Sequence, residues 1–199
     1  MLNTETKKYL ALNKLAEQNG IVILGGTEDK DIPLCELKQA FDLETNLYNR
    51  SVTDLSVNDA AEYYDACIAP LAPSTILLHI GEADLAAFAA DSAAFDQKYR
   101  ELITHIKTVS KPCEVAIISL KNPDNDAGIG ELNRHLRYIA ESEQCEFGDI
   151  ATKRVWNPKE TKDVVSFVHM MGFVRPLKQK RQIYDLVKIF FCYAPVCAG

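Results

Sequence analysis

Apolar residues in this chain come in short runs that end on glycine or polar clusters, and between the runs they recur at helical spacing. Ile21–Leu24 leads into Gly25-Gly26-Thr27, and Thr75–Ile80 leads into Gly81-Glu82-Ala83-Asp84. Both read as buried strands opening into polar turns. Further strands are expected at Asn46–Val52, Val115–Leu120 and Phe147–Ile150. A helix is expected over Leu10–Asn19, with Gly20 as its stop. Leu34, Leu37 and Phe41 place a short helix after Pro33. Ser56-x-x-Asp59 has the form of a capping box and starts a helix that runs to about Ala69. Phe95, Tyr99, Leu102, Ile103 and Ile106 make one face of a long helix, and Leu132, Leu136, Ile139 and Ala140 another. From Trp156 to Arg175 the periodicity fades into an ordered loop, and Ile183, Leu186, Val187, Phe190 and Phe191 mark a terminal amphipathic helix.

Strands separated by helices imply crossover connections and a parallel sheet. The near-continuous apolar strands imply burial on both faces. The expected fold is therefore a three-layer α/β/α domain spanning residues 1–199, with any site at the carboxyl ends of the strands. The 199 residues suffice for one sizeable core. No repeat, linker or low-complexity segment interrupts the pattern.

Charge narrows the partners. Residues 1–150 carry 13 basic against 25 acidic side chains, whereas residues 151–181 carry 8 against 2. The basic segment either balances an acidic body as a solvated face or draws an anionic ligand to a nearby site. An acidic chain without a recognition motif argues against nucleic acid. No apolar run is long enough to span a membrane, and the polar start from Met1 to Lys8 lacks a signal-peptide core, so a cytoplasmic location is expected. The six cysteines are scattered without a C-x-x-C pair, which favours buried reduced thiols, with Cys192–Cys197 pairing as the alternative. Neither zinc spacing nor a phosphate-binding glycine loop is present, so no metal or cofactor is expected.

The order of the polar blocks resembles the SGNH (GDSL-type) hydrolases, from about Ile21 to the terminal helix. The resemblance implies a flavodoxin-like sheet of five parallel strands and an ester-hydrolysing site of four blocks. Gly25-Gly26-Thr27 stands at the nucleophile block, where the family has Gly-Asp-Ser. Ser51, in Asn49-Arg50-Ser51, stands where a glycine N–H faces the oxyanion. Gly81-Glu82-Ala83-Asp84 stands at Gly-x-Asn-Asp, so Ala83 replaces the oxyanion asparagine. Ser166-x-x-His169 stands at Asp-x-x-His, so the histidine remains and its orienting aspartate does not.

Each replacement has a chemical reading. Thr27 keeps a hydroxyl but its β-methyl stiffens the side chain, and a helix N-cap is its competing role. His169 is the candidate base, with Asp163 or Glu82 as candidate helpers. Ala83 donates nothing to an oxyanion. Asp84 matches a family letter that is structural rather than chemical. His79, inside a strand, reads as a core histidine. The expected function is an SGNH-like protein with a degraded triad and a retained pocket for a small-molecule or partner. An esterase or deacetylase acting on acyl or acetyl esters through a Thr27–His169 dyad, and a non-catalytic interaction protein, are the alternatives. The pocket residues implied are Gly26, Thr27, Ser51, Gly81, Ala83, Ser166 and His169.

Overall fold

The computed structural model describes residues 4–40, 44–150 and 154–156. Its sheet has six strands in the order β2-β1-β3-β4-β5-β6. These are β1 (Ile21–Gly25), β2 (Leu47–Asn49), β3 (Thr75–His79), β4 (Glu114–Ile118), β5 (Glu146–Asp149) and β6 (Arg154–Trp156). The first five run parallel, and β6 joins β5 antiparallel. The helices are α1 (Thr4–Asn13), α2 (Leu34–Ala40), α3 (Val57–Cys67), α4 (Leu85–Ala90), α5 (Ser92–Val109) and α6 (Ala127–Ser142).

Alternation along the strands decides the layers. Val22, Leu24, Ile76, Leu78, Val115 and Ile117 face one core, which Tyr64, Tyr99, Leu102, Ile106, Leu136 and Ile139 from α3, α5 and α6 complete. Ile21, Ile23, Leu77, Ala116 and Ile118 point to the opposite face and are equally buried. Leu34 of α2 is buried outside the first cluster. Helices on both faces explain why the strands read as continuous apolar runs. The helical faces expected from Phe95 to Ile106 and from Leu132 to Ala140 are the buried faces of α5 and α6.

Ser56 caps α3 as its spacing implied. Its Oγ accepts from the Asp59 N–H at 3.3 Å and donates to the Asp59 carboxylate at 2.6 Å. The first helix departs from the expectation: it spans Thr4–Asn13, not Leu10–Asn19. Polar contacts set its position. The Tyr9 hydroxyl donates to the Ser51 carbonyl, the Asn13 amide to the Cys67 carbonyl, and Glu5 accepts from the Thr53 N–H. Leu12 and Leu15, within the expected helix span, are exposed at 41% and 84%. Trp156 is a strand residue rather than the start of a loop. The expected terminal helix and the rest of the expected loop to Arg175 fall outside the described residues. Cys67, Cys113 and Cys145 are buried and free, and Cys35 is exposed and free. Cys192 and Cys197 also lie outside the described residues. Among the described residues no helix is long and apolar enough to cross a membrane, and no cluster of metal-ligating side chains forms.

Candidate functional site

Four strand ends converge on a pocket of about 320 Å³. The turn after β1 contributes Gly26, Thr27, Glu28 and Asp29, and the loop after β2 contributes Asp54 and Leu55. His79, Ile80, Gly81, Glu82 and Ala83 come from the end of β3, and Leu120 follows β4. This is the edge where an open parallel sheet places ligands.

The floor of the pocket is a buried histidine–carboxylate pair. His79 Nδ1 lies 2.7 Å from Asp29 Oδ2, with the two side chains 5% and 2% exposed. His79 is thus buried, as the sequence suggested, yet it belongs to the pocket and not to the apolar core. Gly25 sits opposite His79 in the β1–β3 register and makes the pair possible. A Cβ at Gly25 would fall 1.9 Å from Asp29 Oδ2. Asn49 fixes the turn from the other side, donating to the carbonyls of Asp29 at 2.6 Å and Lys30 at 3.3 Å.

Thr27 is not a helix cap, because its chain segment is a turn and α2 begins only at Leu34. Its hydroxyl instead bridges the pocket rim. Oγ1 accepts from the Asp54 N–H at 3.2 Å and lies 3.4 Å from Asp54 Oδ1 as donor. Ser51 is fully buried beneath the site and does not line it. Its Oγ accepts from the Gly25 N–H at 3.0 Å, and its own N–H donates to Asn49 Oδ1 at 2.9 Å. The backbone donor that the resemblance places at position 51 is therefore already engaged. Gly26, Gly81 and Ala83 do line the pocket with Thr27. Ser166, His169 and Asp163 fall outside the described residues.

Gly81 turns the chain out of β3 with φ of +129°, a conformation that L-residues with a Cβ rarely adopt. The following turn carries Glu82 over the pocket and Asp84 away from it. Asp84 accepts from the Val57 N–H through both oxygens, at 3.2 and 3.0 Å, and so holds the start of α3. Burial raises its carboxyl pKa and the Val57 N–H opposes that. The Glu82 carboxyl is also raised, first by partial burial, then by the charge of Glu28, with Asp29 adding to it. His79 and Lys121 pull the other way. Lys121 is paired with Glu28 at 2.8 Å.

Asp29, Asp54 and Glu28 are site residues that sequence reasoning did not select. One signal existed: a histidine in an apolar strand needs a polar partner. The acids of the turn after β1 were the nearest candidates, but which one reaches His79 depends on a turn whose shape no periodicity reveals.

No family model and no curated protein matches this sequence. Solved structures do match its fold. A protein from Streptococcus pneumonia, provisionally assigned as a platelet activating factor, superposes with a TM-score of 0.64 at 19% identity, over 96% of this chain and 91% of its own. A provisionally assigned GDSL-like lipase from Parabacteroides merdae gives 0.53 at 11% identity, over 69% and 81%. An acetylxylan esterase from Geobacillus stearothermophilus gives 0.52 at 14% identity, over 67% and 77%. The sheet order, the helices on both faces and these neighbours agree: the chain has the SGNH (GDSL-type) hydrolase-like fold.

Proposed function

We propose that this protein has lost the serine-ester chemistry associated with its fold and uses the pocket at the sheet edge to hold a small polar ligand. The observation that carries this reading is the state of the hydroxyl at the nucleophile position. Thr27 Oγ1 is bonded to Asp54, and the imidazole that lines the pocket, His79, is bonded to Asp29 instead. Two further observations support it. The Ala83 side chain has no donor for an oxyanion, and the Ser51 N–H is committed to Asn49. Losing one oxyanion donor costs roughly 10²–10³ in rate, and losing the carboxylate that orients a triad histidine about 10⁴. Such losses do not multiply simply, yet either one removes efficient turnover.

The test is hydrolysis of a short activated acyl ester by the wild type, Thr27→Ala and His169→Ala, purified side by side. The expected result is three rates equal to buffer. Wild-type turnover that both variants abolish would overturn the reading and establish a Thr27–His169 dyad.

A further inference from the structure

We propose that Glu82 is a proton-transfer group, acting as general base on an uncharged ligand that carries one weakly acidic C–H or O–H. The inference rests on the pocket described above, but not on the absence of ester hydrolysis.

Two glycines place this carboxylate. Gly81, at φ of +129°, swings the chain over the strand ends, and Glu82 is the next residue. Gly26 leaves open the space in front of it: a Cβ there would lie 3.8 Å from Glu82 Oε2. The carboxylate therefore lines the cavity without a side chain from β1 between it and a ligand. The neighbouring charges are already engaged, His79 with Asp29 and Lys121 with Glu28. Among the described residues Glu82 makes no ion pair of its own, so its charge is available to a proton. Glu28, Asp29 and Asp54 around it disfavour an anionic ligand, which is why the ligand class is uncharged.

The surroundings also tune the base. Partial burial and Glu28 raise its carboxyl, bringing a weak base closer to neutral pH, where a general base works best. Proton abstraction needs a base and a site, but no oxyanion hole. It survives the losses that remove acyl transfer.

The probe is 5-nitrobenzisoxazole, whose ring opens when a base removes its one acidic C–H. The Glu82 carboxylate takes the proton, the C–H electron pair becomes part of a nitrile, the N–O bond breaks, and the oxygen leaves as a coloured phenoxide. Glu82 then returns the proton to water. The full-length protein is expected to accelerate this reaction roughly 10²-fold over the same concentration of acetate, the low end for a positioned base. Glu82→Gln should abolish the acceleration without lowering the unfolding midpoint. The wild-type rate should rise with pH through an inflection above the ordinary carboxylate range. No acceleration, acceleration that persists in Glu82→Gln, or an inflection at or below that range would each overturn the proposal. The ester assay above can fail or succeed independently.

Discussion

Gly25→Ala tests the floor of the pocket. The added methyl would lie 1.9 Å from Asp29 Oδ2, 2.7 Å from its Cγ and 2.8 Å from its Cβ, so the side chain must leave. Asp29 is 2% exposed and bonded to His79, itself 5% exposed, so leaving breaks a buried pair. Removing one partner from such a pair costs about 3–5 kcal/mol. Replacing glycine by alanine returns about 0.4–1 kcal/mol by restricting the unfolded chain. The net expectation is a loss of about 2–5 kcal/mol, a large share of the 5–15 kcal/mol typical of a domain. Urea unfolding followed by circular dichroism measures it. The deciding comparison is Gly25→Ala made in an Asp29→Gly background, because an alanine at 29 would keep the obstructing Cβ. There the second substitution should cost under about 1 kcal/mol, giving a coupling of at least about 1 kcal/mol between contacting sites. Equal costs in the two backgrounds would refute the account of Gly25 as the space for the Asp29 carboxylate.

Two other perturbations read different parts of the structure. Tyr99 is fully buried in α5 and its hydroxyl has no hydrogen-bond partner among the described residues, so Tyr99→Phe should stabilise by about 1 kcal/mol and raise the melting temperature; a marked loss would reveal a bond the hydroxyl does make. The Asp84 carboxyl is raised in the folded state by burial, so the native protein binds that proton more tightly than the unfolded chain. Its contribution therefore grows more favourable as pH falls from the raised native value toward about 4, the ordinary carboxylate value. Asp84→Asn removes this slope, and the wild type should gain on the variant as pH falls through that window in pH-dependent melts. A difference independent of pH would contradict the shift.

Much of the frame was legible because it rests on periodicity. Burial on both faces makes β1, β3 and β4 continuous apolar runs, and α5 and α6 carry full apolar stripes. Where polar bonds decide the structure, periodicity misleads. Helix α1 is seated by Tyr9, Asn13 and Glu5 reaching groups on Ser51, Cys67 and Thr53, between 42 and 54 residues away in sequence. Helix α4 is too short to show a period, and β6 is three residues long. The pocket divides the same way. Gly26, Thr27, Gly81 and Ala83 follow directly from strands one can see. Asp29 and Asp54 reach the site through turns: Asp54 itself has φ of +54°, a left-handed position that aspartate tolerates.

The polar ends of the strands form a satisfied network, and that bears on what the pocket does. An oxyanion site keeps backbone N–H groups waiting for a charge that exists only in the transition state. Here Asn49 takes the Ser51 N–H with its oxygen and gives its amide to the Asp29 and Lys30 carbonyls. Ser51 Oγ takes the Gly25 N–H, and Thr27 takes that of Asp54. All but the Asn49–Ser51 bond join the end of β1 and its following turn to the end of β2 and its following loop. The result stiffens the pocket walls and engages the Ser51 N–H, the backbone donor that the resemblance assigns to an oxyanion. Glu82 stands apart from that network, projecting from the turn after β3 across the space left by Gly26. Under the proposed reading, a pocket with fixed walls and one available carboxylate fits proton transfer or ligand recognition better than stabilisation of a tetrahedral anion.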